Sequence, residues 1–150
     1  QGVSSAASDV YKRQVKWENI NMEKQRRYIE YNNNSSDSTI FGIYVDGEQM
    51  IGTLRVHDID FMSASAEIGL MIGEKDYWGK GLGTHTIKLI SEYLLTETNL
   101  KNLTSGVNEK NASSIKAFTK NGYLEYARLR IGFPGRPNET IIRLRKIGLD

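Results

Sequence analysis

The sequence predicts an α+β protein: a mixed, mostly antiparallel sheet flanked by helices. Two observations carry this. An antiparallel hairpin is signalled by alternating strands around Asp46-Gly47, and strands and helices then alternate in a β-α-β-α-β run after Ala66. Antiparallel first and crossover later makes a mixed sheet rather than a doubly wound parallel one.

The elements follow in order. Trp17, Ile20, Tyr28 and Tyr31 fall on one face of a helix, and Asn32 to Ser38 stops it with side chains that compete for nearby backbone groups. Thr39 to Val45 and Gln49 to His57 read as strands joined by the Asp46-Gly47 turn, Phe61 to Ser65 as a loop, and Ala66 to Ile72 as a largely apolar strand. Ile87, Ile90, Leu94 and Leu95 give Thr84 to Leu95 the period of an amphipathic helix. Leu103 to Val107 is a short strand. Asn111 to Asn121 is a helix capped by Asn111 and closed by Gly122, and Tyr123 to Phe133 and Thr140 to Lys146 form the last two strands.

Composition bounds the chemistry. The 150 residues suit one globular domain, and 20 Lys+Arg against 18 Asp+Glu leave a net charge of +2, too small to point to nucleic acid or a membrane surface. The absence of cysteine removes thiol nucleophiles, thiolate metal sites and disulfides, and His57 and His85 alone make a poor zinc ligand set, so no metal is expected and cytoplasmic chemistry is. No stretch approaches the roughly 20 apolar residues of a spanning helix. Ser4 to Gln14 resembles the translation of an adapter oligonucleotide used in sequencing libraries, so residues 1–14 are expected to be a non-native tail and 15–150 the domain.

The densest motif is Tyr77 to Thr84, YWGKGLGT, after a strand and at the start of a helix. With side chains absent at Gly79, Gly81 and Gly83, backbone N–H groups can turn inward together beside the helix's positive end, an anion cradle suited to phosphate. A P-loop needs Ser or Thr directly after Gly-Lys, where Gly81 stands, and a dinucleotide fingerprint needs Gly or Ala where Thr84 stands; both fail. A tight strand-to-helix connection without a ligand is the alternative reading.

A second motif, VNEKNASSIKAFTKNGY from Val107 to Tyr123, combines with the first. Together they resemble the GNAT superfamily of acetyl-CoA-dependent N-acetyltransferases, and within it the branch of ribosomal-protein N-terminal acetyltransferases. Trp78, Gly81 and Gly83 match the family's glycine loop, with Trp in place of its usual Gln or Arg. Val107, Asn108, Asn111, Ser114, Ile115, Phe118, Lys120, Gly122 and Tyr123 match the later signature.

The resemblance implies acetyl-CoA as cosubstrate and central strands that splay, so that the strand of Leu70, Met71 and Ile72 offers backbone groups to the pantetheine arm. The pyrophosphate would lie on the amides of Gly79, Lys80, Gly81, Leu82, Gly83 and Thr84, with Trp78, Asn111 and Phe118 also toward the cosubstrate; a helix cap alone would equally explain Asn111, and plain core Phe118. Glu67 is the first candidate for the base that frees the amine of its proton, with a solvent-facing strand carboxylate as the alternative; His57 and Asp58 are the fallback pair, with a lone loop histidine the plainer reading of His57. The family's usual acid is a Tyr where this chain has Phe118, which leaves Ser114, a water or the incoming ammonium to protonate the sulfur. The acceptor is a small-molecule, amino-sugar or peptide amine, and a homodimer fits. A non-catalytic acyl-CoA-binding domain is the competing reading. Against the family pattern the chain lacks the first strand and helix, which is expected to leave the Thr39 to Val45 strand as an open edge.

Overall fold

A computed structural model describes residues 22–132, 134–135 and 137–148. The expectations for residues 1–14, and for Trp17 and Ile20 on the first helix, lie outside the described residues. The elements are α1 (Met22–Asn34), β1 (Thr39–Val45), β2 (Gln49–Asp60), β3 (Ser65–Ile72), a 3-10 turn (Lys75–Tyr77), α2 (Leu82–Glu97), β4 (Asn102–Asn108), α3 (Ala112–Thr119), β5 (Leu124–Ile131) and β6 (Glu139–Ile147). The six strands make one sheet in the order β1-β2-β3-β4-β6-β5, antiparallel everywhere except between β3 and β4. This is the mixed, mostly antiparallel α+β architecture that the hairpin and the later alternation predict.

The hairpin turn forms as its residues demand. Asp46 and Gly47 both take positive φ, 53° and 75°, in a three-residue connection between Val45 and Gln49 whose Glu48 amide donates to the Val45 carbonyl at 3.3 Å. From there the period of two sorts each strand. Leu54, Val56, Ala66, Ile68, Leu103, Val107, Ile142 and Leu144 face one side and are buried beneath Ile87 and Leu94 of α2 and Ala117 and Phe118 of α3. The alternate positions, including Arg55, Glu67, Gly106 and Arg143, lie on the other face, where α1 docks.

Among the described residues, α1 docks through a polar network at its C-terminal end. Tyr31 is 73% exposed, whereas Asn32 is fully buried. The Asn32 side-chain amide donates to the Tyr28 carbonyl at 2.6 Å and accepts from the Ser38 hydroxyl at 2.6 Å, while Arg55 of β2 donates to that hydroxyl and lies over the Tyr28 ring. The stop signal is thus also the anchor. Among the described residues no helix is long and apolar enough to cross a membrane.

Candidate functional site

The sheet opens at its middle. β3 and β4 pair only at Ser65–Asn102, Ala66–Leu103 and Glu67–Thr104; beyond Glu67 the strands part. Two side-chain bonds mark the divergence, from the Ser105 hydroxyl to the Ile68 carbonyl at 2.8 Å and from Thr104 to the Ala66 carbonyl at 3.4 Å. Backbone groups alternate sides along a strand, so the even-numbered residues of β3 turn theirs toward β4 and the odd-numbered toward β2. The Met71 carbonyl accordingly crowds Gly52 of β2. Leu70 and Ile72, not Met71, therefore present backbone to the opening. A buried peptide edge needs hydrogen-bond partners, and an extended amide-bearing arm supplies them as an added strand does.

At the wide end of the opening stands the glycine loop. Gly81 is the N-cap of α2 with φ +78° and no side-chain cap, so the first amides of the helix find no side-chain acceptor. Gly79 is likewise at positive φ, 73°. A Cβ at Gly83 would lie 3.3 Å from Leu70, so the helix start sits close on β3. Trp78 donates its indole N–H to the Ile72 carbonyl at 2.8 Å, tying the loop to the strand end, and Lys80 lies over the Tyr77 ring. These features suit an anionic, amide-bearing ligand such as coenzyme A: a backbone edge for the arm and helix-terminal amides for phosphate.

The second motif braces the first. Asn111 accepts from the Ser114 amide at 3.2 Å and from Ser113, the capping role read from sequence. Asn121 donates both to the Ala117 carbonyl and to the Thr84 carbonyl of α2, at 2.9 and 2.8 Å, and so fixes the end of α3 to the first turn of α2. Phe118 is 2% exposed and meets Tyr123 edge to face with ring centroids 5.0 Å apart, which gives it a core partner. The Tyr123 hydroxyl is buried on Ser91 at 2.8 Å, and burial pushes its pKa up to about 12.

Glu67 lies at the seam but is not a free carboxylate. Arg143 of β6 grips both of its oxygens, at 2.9 and 2.7 Å, reaching over Gly106 of β4. A Cβ at Gly106 would come within 2.8 Å of that guanidinium and 3.3 Å of the Glu67 carboxylate, so the bridge exists because that position is bare. Arg143 also donates to the Tyr126 hydroxyl at 3.3 Å, and the bonds to Glu67 hold it still more firmly protonated. Arg143, Gly106 and Asn121 carry no sequence signal of their own; the Glu67–Arg143 pair spans 76 residues. Ser114 stands on the first turn of α3, its amide engaged by the cap. His57 is the register partner of Glu67 on β2, and its Nδ1 lies 3.0 Å from Asp58. Among the described residues no group of His, Asp and Glu could hold a metal ion.

A separate apolar groove of about 490 Å³ lies between β1 and α2, lined by Phe41, Tyr44, Leu82, Leu89 and Tyr93 among others. Its one titratable imidazole, His85, stands on the first helical turn, and no carboxylate lines it.

A family model described as an acetyltransferase (GNAT) domain matches residues 4–124. The chain belongs to the GNAT acetyltransferase family. An uncharacterized N-acetyltransferase, p20, of Bacillus licheniformis is 33% identical over 90 residues, which cover 56% of this chain and 50% of that protein. The matched part of this GNAT chain therefore spans about half the length of that curated relative. The fold of this chain is similar to that of a spermidine N-acetyltransferase from Vibrio cholerae solved with CoA and spermine, at TM-score 0.76 and 18% identity over 86% of this chain and 76% of that one. A mutant of the same Vibrio cholerae enzyme aligns over 98% of this chain and 93% of its own, at TM-score 0.77 and 16% identity.

Proposed function

We propose that this GNAT chain transfers an acetyl group from acetyl-CoA to the primary amine of a small molecule, an amino sugar or a protein N-terminus. The observation that carries the reading is the parting of β3 from β4 beyond Glu67, with the uncapped amides of α2 at its wide end. In this reading the backbone of Leu70 and Ile72 hydrogen-bonds the pantetheine arm and polarises the thioester carbonyl, and the amides of Gly79 to Thr84 hold the pyrophosphate. Lys80 adds charge at the entrance, and Trp78 and Asn111 border the arm. Acetyl-CoA supplies the activated acyl group; the protein orients it, presents the amine and disposes of one proton.

The N-acetyltransferase p20 and the spermidine N-acetyltransferases support an amine acceptor, and the motif resemblance supports the ribosomal-protein branch. Cytoplasmic location and self-association as a homodimer complete the proposal. Titration calorimetry with acetyl-CoA, followed by thiol release over a panel of spermidine, an amino sugar and a peptide N-terminus, tests it. Tight binding with thiol release for one acceptor class is expected; no binding would remove the assignment. Phe118 in place of the family's tyrosine favours one alternative, an acyl-CoA-binding domain, which binding without turnover for any amine would select.

A further inference from the structure

The nearest unengaged base to the seam is not Glu67. Both its oxygens are held by Arg143, whereas His57, directly across the register on β2, has one ring nitrogen occupied and one open. The local backbone is built around that imidazole. The β2–β3 register breaks between His57 and Asp60, and within the break Asp58 takes φ +50°, a left-handed conformation. Bulges of this kind re-aim side chains, and here the result is the Asp58 carboxylate 3.0 Å from His57 Nδ1. A carboxylate only accepts, so the hydrogen of this contact sits on Nδ1, and in the neutral ring the lone pair is then on Nε2. The imidazole side chain is 19% exposed and that of Asp58 76%, so the ring is sheltered and its partner open to solvent.

We propose that His57, oriented by Asp58, is the proton acceptor of the transfer; this rests on the function proposed above. Leu70, the first open amide beyond the seam, is three residues along β3 from the row of His57 and Glu67, about 10 Å. Bridging water carries the proton across the gap between the imidazole and the amine. As the amine nitrogen forms its bond to the acetyl carbon, the C–S bond breaks with its electron pair left on sulfur. The nitrogen's proton passes through the water to His57 Nε2. The imidazolium then returns a proton to solvent, from which the thiolate takes one. The charged groups around the ring are Asp58 and Arg55 of its own strand, Glu67 of β3, and Arg143 of β6 through Glu67.

Two measurements test this. In the protein without ligands, imidazole 15N shifts should show His57 as the Nδ1–H tautomer, lost in Asp58→Asn; an Nε2–H tautomer overturns the proposal whether or not the enzyme turns over. In the active enzyme, His57→Gln should lower kcat by about 100-fold or more and remove the acidic limb of its pH profile, with acetyl-CoA affinity within about twofold. Asp58→Asn should lower kcat by about tenfold. A His57→Gln protein that folds, binds acetyl-CoA and keeps both rate and limb refutes the role of His57 alone, whereas a wild-type protein that binds no acetyl-CoA refutes the function beneath it.

Discussion

Glu67 of β3 and Arg143 of β6 clasp each other across an intervening strand, over the bare backbone of Gly106. The pair locks the two sides of the opening together at its apex. Glu67→Gln should cost about 1–2 kcal/mol, because a partly sheltered guanidinium loses its anion. Glu67→Gln with Arg143→Met should cost less than the two single changes summed, and urea unfolding of the four proteins reads the coupling directly. Additive losses would mean that the clasp contributes nothing.

Gly106→Val should reproduce that loss from the opposite direction. Its branched side chain would occupy the space of the Arg143 guanidinium, so a fall of at least about 2 kcal/mol is expected, and Glu67→Gln should add little on top. Thermal midpoints of the single and double variants decide it.

At the wide end of the opening, Gly81→Val places a β-branched side chain at φ +78°. Acetyl-CoA affinity should fall by at least tenfold in calorimetry, while far-ultraviolet dichroism stays that of the wild type. Undiminished affinity would remove the phosphate cradle from the site.

Asn121→Ala cuts the tie between α3 and the Thr84 carbonyl. A stability loss of about 1–2 kcal/mol is expected together with several-fold weaker acetyl-CoA binding, since the first turn of α2 loses its brace. Stability loss without any change in affinity would confine Asn121 to a packing role.

Tyr123 governs the alkaline limit. Its pKa is about 12 in the folded protein against 10.0 for an ordinary tyrosine, so the unfolded chain ionises first. The stabilisation is intact below about pH 10 and is lost as pH climbs to about 12, an amount of order 2–3 kcal/mol. Tyr123→Phe should be less stable at neutral pH, with the Ser91 hydroxyl left unpaired, yet flatter between pH 10 and 12.

The strands, the hairpin turn and the Asn111 cap were legible in the sequence because each depends on a few adjacent residues. Asp46-Gly47 announces its turn, and the largely apolar run from Ala66 to Ile72 announces its burial. The turn of the glycine loop was legible for the same reason, with Gly79 and Gly81 both at positive φ. The state of Glu67 was not: a strand position tells which face a carboxylate takes, but not that an arginine 76 residues later will reach it across a third strand. Nor was the polar seat of α1, where Tyr31 faces outward and Asn32 inward. Helical periodicity ranks faces by hydrophobicity and is blind to an amide that closes a hydrogen-bond network. His57 and Asp58 stood in the sequence as a fallback, since adjacency of the two was visible and the bulge that turns them together was not.

The three-residue seam between β3 and β4 makes the sheet two antiparallel plates, β1-β2-β3 and β4-β6-β5, joined at one corner. A cosubstrate laid into the gap would act as mortar between them, so folding and ligation become thermodynamically linked. At a ligand concentration a hundredfold above Kd that linkage adds about 2.7 kcal/mol. The supply of acetyl-CoA would then set not only how fast this protein works but how long each copy survives proteolysis.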